Sequence, residues 1–257
     1  MTKLFEGIHK IGSKIERGVS ILIYADPGIG KTTLATTLPV GETLIINVES
    51  GIGPLLGTGH IVFNLNRDLK QLEDIYRYLR TEKHPFTNIV IDNISELQEW
   101  MIHVLSTVRN KDFPEIREYG DASVKLKEYI RLFRDLTSEC NINVVFNAWE
   151  MPLELEKNTM GVVTKAFPKM MPKLAPEICG IVDMVGHLEL YEKTGDRFIR
   201  FKGTNKIMAK TQFKGIDEFE EANLPAIFKK LQAHDYALVE VAVNEEIEKL
   251  KKGAKNA

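Results

Sequence analysis

The sequence has few of the features that mark secreted, membrane-spanning or zinc-binding proteins. It contains 2 cysteines and 6 histidines among 257 residues. Cys140 and Cys179 lie far apart and belong to no CxxC motif or histidine cluster, which argues against a zinc site and against a disulfide framework. No apolar run approaches membrane-spanning length, and no long apolar region follows residues 1–6. We therefore expect a cytosolic protein with no membrane partner.

The sequence also lacks a strong charge of either sign. The formal net charge is -2, with 44% hydrophobic and 27% charged residues, which is ordinary for a globular chain with one substantial core. Any contact with nucleic acid must therefore come from a local basic patch. There is no long repeat and no low-complexity linker. We divide the chain into an N-terminal arm at 1–18, a core at 19–215 and a C-terminal helical extension at 216–257.

One stretch carries a specific motif, and it lies between an apolar run at 19–24 and a helical pattern at 31–38. A strand that turns through glycines into a helix directs several backbone N–H groups into one concavity, which suits phosphate. The predicted phosphate loop consists of Asp26, Pro27, Gly28, Ile29, Gly30, Lys31, Thr32 and Thr33. Lys31 would reach the β- and γ-phosphates, and the Thr32 hydroxyl would bind Mg²⁺. Ala25 stands where the motif has glycine.

Buried-strand patterns alternate with amphipathic helical patterns through the first 150 residues. The apolar runs lie at 43–49, 61–65, 88–92 and 143–147, and the helical patterns lie at 68–80, 95–108 and 121–139. This alternation predicts βαβ units and a parallel sheet. The second half predicts a long Pro- and Lys-containing loop at 151–176, antiparallel strands within 181–213, and two helices near 224–233 and 236–251.

Two acids end predicted strands of this sheet. Asp92 follows the strand at 88–91, where a carboxylate can hold the water shell of a magnesium ion. The next residue is Asn93, so the glutamate that often follows such an aspartate is absent. Glu49 ends the second strand and could polarise a water for in-line attack on a phosphate. Both acids could instead be solvated or capping groups at strand ends.

The loop, these two acid-ended strands and the strand at 144–147 resemble, in that order, the ATPase core of RecA-type recombinases. The chain resembles more closely the short, core-only RecA-like P-loop ATPases of bacteriophages, a group linked to single-strand annealing and recombination. The resemblance covers roughly residues 15–215. It implies an α/β fold with a mostly parallel central sheet flanked by helices and with antiparallel strands added in the C-terminal half. A phage-encoded chain would act in the host cytoplasm.

The resemblance also implies cofactors, partners and roles. It implies ATP and Mg²⁺ as cofactors, Glu49 as the catalytic base, Asn147 as a γ-phosphate sensor, and Lys206 and Lys210 as lysines that reach a neighbouring subunit's ATP. The catalytic candidates are Lys31, Glu49, Asp92, Asn147, Lys206 and Lys210, and the candidates at the metal are Thr32 and Asp92, the latter through water. The expected partners are single-stranded DNA, further copies of the chain in a ring or filament, and a single-strand DNA-binding protein.

Two segments are candidates for DNA contact. The first, at 109–120, contains Arg109 and Lys111 but also several acids. The second, at 157–173, contains no acid and offers Lys157, Lys165, Phe167, Lys169 and Lys173. Its prolines forbid a continuous helix, so an extended backbone would present lysines to phosphates and Phe167 to bases. Solvated lysines on a loop need no ligand, and this alternative stays open.

The expected function is therefore a Mg²⁺-requiring, DNA-dependent ATPase that promotes recombination or annealing. A nucleoside or nucleotide kinase could use the same phosphate loop, although the sequence shows no arginine-rich lid. A non-hydrolysing nucleotide-dependent scaffold is a third alternative.

Overall fold

One mixed sheet of ten strands organises the part of the chain that the structure describes. The structure is a computed structural model that describes residues 14–49, 51–158 and 161–234, without the side chains at 155–158 and 161–163. Most of the predicted arm and the helix predicted at 236–251 lie outside these residues. Across the described residues, no helix is both long and apolar enough to cross a membrane.

The strands and helices have the following bounds. The strands are β1 Ser20–Ala25, β2 Thr43–Asn47, β3 Ile61–Asn64, β4 Asn88–Asp92, β5 Asn143–Asn158, β6 Gly161–Pro168, β7 Met184–Tyr191, β8 Asp196–Arg200, β9 Lys210–Thr211 and β10 Phe219–Glu221. The helices are α1 Lys31–Ala35, α2 Leu69–Thr81, α3 Ile94–Val108, α4 Ile116–Glu139, α5 Leu174–Ile181 and α6 Leu224–Ala233.

The sheet is parallel in its centre and antiparallel at one side. Its order is β10-β8-β7-β1-β5-β4-β2-β3, with β6 paired to β5 and β9 paired to β7. The strands from β7 to β3 run parallel, whereas β6, β8, β9 and β10 pair antiparallel. This arrangement confirms the predicted α/β class with a mostly parallel central sheet and antiparallel strands in the C-terminal half, and it places β1 between neighbours on both sides.

Alternate residues of the central strands face two separate cores. Leu22 and Tyr24 of β1 belong to the core that α2, α3, α4 and α5 cover. Ile21 and Ile23 belong to the core on the other face, which α1 and α6 cover. Because both faces are buried, these strands read as continuous apolar runs, which is why the sequence revealed them.

The prediction of a long loop at 151–176 is wrong. β5 continues to Asn158 and pairs with β6 in an antiparallel hairpin, and α5 begins at Leu174. The prolines were interpreted as loop signals, but Pro152 and Pro168 lie in a two-stranded ribbon. A proline there can face away from its partner strand at little cost, because no third strand needs its missing N–H. Pro168 is also the last residue of β6.

The segments on either side of the core are tied to the sheet. β10 pairs with β8, and α6 buries Ile227 and Phe228 in the second core. Near the start of the described chain, Arg17 makes two hydrogen bonds to Asp183, at 2.7 and 3.0 Å. The division of the chain at residues 18 and 215 stays a prediction.

Asp183 fixes the beginning of β1. Its carboxylate accepts hydrogen bonds from the backbone N–H and the hydroxyl of Ser20 as well as from Arg17. Burial alone would raise the pKa of Asp183, but the hydrogen bonds from Arg17 and Ser20 outweigh it and the pKa is lowered. The ionised carboxylate therefore stabilises the folded state.

We expect Asp183→Asn to lower the free energy of unfolding by about 2–4 kcal/mol at neutral pH, because Arg17 loses its partner. Urea-induced unfolding measures the loss. Because the folded-state pKa is lowered, the contribution is fully present above the ordinary aspartate pKa of about 3.9 and declines as the pH falls through the folded-state value. The control is Asp135→Asn, which removes the exposed pair with Arg134 and should cost less than about 1 kcal/mol. Equal losses in the two variants would contradict this role.

Candidate functional site

The loop between β1 and α1 has the backbone shape of a phosphate cradle. Gly28 and Gly30 have φ values of 83° and 110°, which only glycine adopts without strain. Gly30 is also the N-cap residue of α1, and it offers no side chain to the first turn. The backbone N–H groups at the start of α1 are therefore left without a side-chain acceptor. Ala25 is fully buried as the last residue of β1, so the departure from glycine falls within the strand.

Lys31 lies inside this loop. Its side chain is folded back so that Nζ donates to the carbonyls of Ala25 and Asp26, at 2.9 and 3.0 Å. Lys31 is only 7% exposed, and it makes no ion pair with any carboxylate of the described residues. Burial lowers its pKa, and Asp92 and Glu49 oppose this effect from a distance. The result is a buried cation whose nearest partners are neutral.

Thr32 and Asp92 are brought together at the edge of the sheet where the parallel strands have their carboxyl ends. The Thr32 hydroxyl donates to Oδ2 of Asp92 at 2.6 Å. Asp92 is buried at the end of β4, and burial raises its pKa against the opposing effects of Thr32 and Asn147. Asn147 is 1% exposed, and neither its Nδ2 nor its Oδ1 has a hydrogen-bond partner of normal geometry among the described residues. An unpaired buried amide beside a carboxylate fits a site completed by a ligand.

Glu49 lies beside the same group of residues. Its carboxylate accepts a hydrogen bond from the side chain of Asn93, the residue that follows Asp92. Burial, followed by the nearby charge of Asp92, raises the pKa of Glu49, while Lys31 and a hydrogen bond from Trp149 lower it. The two acids predicted from the sequence thus lie close enough for the charge of Asp92 to affect Glu49, and their catalytic roles stay predictions. The sequence did not reveal Asn93 and Trp149, since nothing local indicates which acid they contact.

Arg197 is a further residue at the loop that the sequence did not reveal. It lies on β8, and its Nε donates to the carbonyl of Ile29 at 2.6 Å. A Cβ on Gly30 would lie 2.8 Å from the same Nε, so a side chain at this position would displace the arginine. Only the strand order brings residues 29 and 197 together, which explains why no short motif could predict this contact.

Comparison with known proteins assigns the family. A family model described as an AAA domain, AAA_24, matches residues 17–213. The chain belongs to this AAA domain family. Among curated proteins, the vesicular-fusion protein SEC18 of Candida albicans is 31% identical over 85 residues, which cover 33% of this chain and 10% of that protein. The chain thus spans a small part of that relative. Among solved structures, the RadB recombinase is similar over 72% of this chain and 80% of its own, with 16% identity and a TM-score of 0.46.

The two lysines predicted to act on a neighbouring subunit differ in their surroundings in this AAA domain. Lys206 is exposed and lines a cleft of about 670 Å³ together with Asp26 of its own phosphate loop. Lys210 is half-buried, and its Nζ donates to the carbonyl of Gly180 at 3.3 Å. Lys206 is therefore the more accessible cation, and it already lies near the loop of its own chain.

The first candidate DNA segment of the AAA domain is neutralised by its own acids. Arg109 pairs with Glu118 at 2.6 Å and also with Asp121, and Lys111 pairs with Glu115 at 2.8 Å. Part of this segment is helical, because α4 begins at Ile116. Arg109 and Lys111 thus have little unpaired charge to offer a phosphate backbone.

The second candidate segment keeps its positive charge. Lys165, Lys169 and Lys173 lie along β6 and the turn before α5, and none makes an ion pair with a described carboxylate. Nζ of Lys169 lies 4.9 Å from the centre of the Trp149 ring. The side chain of Lys157 lies outside the described residues. The structure contradicts the expectation that Phe167 contacts bases. Phe167 is 5% exposed and packs in the first core, so its ring cannot stack on a base in this structure.

We expect Mg²⁺ to strengthen ATP binding to the wild-type AAA domain and Thr32→Val to remove most of this gain, a loss of about tenfold or more, because the variant lacks the hydroxyl beside Asp92. Calorimetric titration with ATP in Mg²⁺ and in EDTA measures both affinities. The control is Thr36→Val, whose hydroxyl bonds only the carbonyl of Thr33. If Mg²⁺ strengthens ATP binding by Thr32→Val as much as it does for the wild type, Thr32 is excluded from the metal site.

Proposed function

We propose that this AAA domain binds ATP with Mg²⁺ and hydrolyses it, and that single-stranded DNA stimulates the hydrolysis during recombination or single-strand annealing. The observation that carries the first part is the 2.6 Å hydrogen bond from Thr32 to Asp92. It joins the phosphate loop to the acid that ends β4, two strands away from β1 in the sheet, near the buried ammonium of Lys31. A cation, a hydroxyl and a carboxylate in this order suit a phosphate chain with its metal.

The residues present fit a magnesium ion. Hydroxyl and carboxylate oxygens are hard ligands, and Mg²⁺ in nucleotide sites uses one or two protein ligands together with waters and phosphates. Thr32 would bind the ion directly and Asp92 through water, which leaves the amide of Asn147 free for a phosphate oxygen or a water. When bound, the ion neutralises charge on the phosphates.

Glu49 is the residue best suited to remove a proton from the attacking water. Its pKa is raised by burial and by the charge of Asp92, which makes its carboxylate a stronger base than an exposed glutamate. Asn93 holds one carboxylate oxygen, so the side chain keeps its orientation. Lys31 and Asn147 would bind the γ-phosphate and stabilise the charge that develops on it.

The β5–β6 hairpin is the proposed contact with single-stranded DNA. Lys165, Lys169 and Lys173 carry unpaired charges near its base, and an extended row of lysines suits a phosphate backbone. Base stacking by Phe167 is not part of this proposal, since its ring is buried. Assembly into a ring or filament is a further proposal, in which exposed Lys206 would reach a neighbouring copy's nucleotide.

We expect ATP hydrolysis to rise when single-stranded DNA is added and to fall by about a hundredfold or more in Glu49→Gln, because the variant lacks the general base. Glutamine can still accept the hydrogen bond from Asn93, so ATP binding should persist. Lys31→Ala should abolish binding as well as hydrolysis. Phosphate release with and without DNA, together with calorimetric ATP titration, measures these effects.

Each alternative predicts a different result in the same assay. A rate that ignores DNA, in protein not retained by DNA at low salt, would refute the DNA-dependent part. Phosphorylated product from nucleosides or nucleotides would identify a kinase. An unchanged hydrolysis rate in Glu49→Gln would exclude Glu49 as the base. If the wild-type protein binds ATP and does not hydrolyse it, the scaffold alternative is supported.

We expect Lys169→Gln combined with Lys173→Gln to weaken single-stranded DNA binding and to reduce the slope of log K against log salt by about 0.7 per lost phosphate contact. Fluorescence anisotropy with a labelled oligonucleotide at several salt concentrations measures both. The control is Lys83→Gln, an exposed lysine just before β4, at the opposite end of the strands. Equal slopes in the double variant and the control would exclude the hairpin lysines from DNA contact.

A further inference from the structure

A histidine and two glutamates form a cluster near the carboxyl end of β1. His187 lies on β7 opposite Tyr24, and its side chain is 12% exposed. Its Nε2 lies 2.7 Å from Oε2 of Glu150 on β5, and its Nδ1 lies 3.1 Å from Oε1 of Glu189 on its own strand. Each ring nitrogen therefore faces a carboxylate oxygen.

These two contacts require a proton on both nitrogens of the His187 ring. A neutral imidazole has one N–H, so it can donate to one carboxylate only, and its other nitrogen would present a lone pair to the second. An imidazolium donates from both nitrogens. Burial alone would lower the pKa of His187, but the hydrogen bonds to Glu150 and Glu189 outweigh it and the pKa is raised.

The groups on the neighbouring strands do not replace this charge. The Tyr24 ring on β1 lies 4.9 Å from the His187 ring between centroids, and burial raises the pKa of the Tyr24 hydroxyl, which stays neutral. Arg200 on β8 donates from Nε to Oε1 of Glu189 at 2.8 Å. Glu189 therefore keeps a cation when His187 is neutral.

Glu150 depends on His187 alone. Among the described residues, His187 is the one cation within ion-pair distance of the Glu150 carboxylate. Lys206 and Asp26 line the same cleft as Glu150 but form no ion pair with it or with each other. Loss of a ring proton would therefore leave the Glu150 carboxylate without a paired charge.

Glu150 also marks the point where β5 leaves the parallel sheet. β5 pairs with β1 as far as Trp149, and its pairing with β6 begins at Glu150. His187 reaches this point from β7, on the other side of β1 in the sheet order. Its ring thus connects the start of the β5–β6 hairpin with β7 and, through Glu189 and Arg200, with β8.

We propose that the doubly protonated ring of His187 is a pH-dependent latch that ties the start of the β5–β6 hairpin to β7 and β8, and that loss of one ring proton loosens the hairpin. In the neutral ring, a lone pair faces one of the two carboxylates, and any contact that remains with Glu150 is no longer charge-assisted. The latch requires neither nucleotide nor DNA, so it goes beyond the proposed function.

The sign of the pH dependence follows from the raised pKa. The contribution of the latch is fully present below the ordinary histidine pKa of about 6.5, and it is lost as the pH rises through the higher value of the folded state. The hairpin should therefore be held at low and neutral pH and loosened in alkaline solution.

The test measures the His187 ring and the hairpin in the same protein. Nitrogen NMR of the imidazole should show two protonated nitrogens below a titration midpoint that lies above about 6.5. Hydrogen exchange should show the protection factor of the Lys169 amide, which donates to the Trp149 carbonyl, falling about threefold or more across this midpoint. The Val144 amide, which donates to Val19 within the parallel sheet, should not change.

Two variants separate the latch from general packing. Glu150→Gln keeps a side chain that can donate to a neutral ring or accept from a charged one, so the pH step at Lys169 should disappear. His187→Gln cannot carry the charge and should give low protection at every pH. The control is His60→Gln, whose ring contacts the Leu38 carbonyl and the Thr58 hydroxyl before the far edge strand, and it should keep the step.

Three results would overturn the proposal. The first is a midpoint at or below the ordinary histidine value. The second is a ring with a single protonated nitrogen below the midpoint, which would place the shared proton on a carboxyl group. The third is a protection factor at Lys169 that ignores the midpoint in the wild type, or that still follows it in Glu150→Gln or His187→Gln.

Discussion

The site depends on a buried ammonium group that has no ion-pair partner among the residues that the structure describes. Lys31 is satisfied by two carbonyls of its own loop, and burial lowers its pKa. A carboxylate in direct contact would stabilise this cation better, but it would also occupy the cradle and repel phosphate. Asp92 and Glu49 are instead held back, by Thr32 and Asn93 respectively. The protein thus keeps an unfavourable burial that a phosphate can relieve.

The sheet order converts this local arrangement into a site with two unlike sides. β1 ends at the loop, and the strands on its β5 side and on its β7 side bring different side chains towards that loop. The β5 side is parallel and brings carboxylates and a buried amide to the strand ends. The β7 side continues into antiparallel strands, which bring Arg197 back to the loop. The loop thus lies between carboxylates on one side of β1 and a guanidinium on the other.

The sequence predicted the features that depend on neighbouring residues and missed those that depend on strand pairing. The phosphate loop, Asp92 and Glu49 could be predicted as site residues because each lies at the end of an apolar strand that both cores bury. Arg197 was missed because its partner, Ile29, is distant in sequence. The β5–β6 hairpin was mistaken for a loop, since prolines in a two-stranded ribbon look like breaks. The acids near Arg109 were visible in the sequence, but only the turn into α4 shows that they pair with it.

β5 connects the proposed DNA contact with the nucleotide site through one continuous strand. Asn147 lies in the part of β5 that pairs with β1, and three residues further, at Glu150, the strand begins to pair with β6. Between them, Trp149 is one of the groups that lower the pKa of Glu49. Its ring lies under Lys169, whose backbone N–H also donates to the Trp149 carbonyl at 2.6 Å. If the hairpin contacts DNA as proposed, a phosphate that draws the Lys169 ammonium away from the Trp149 ring would change the surroundings of a residue that influences the proposed base.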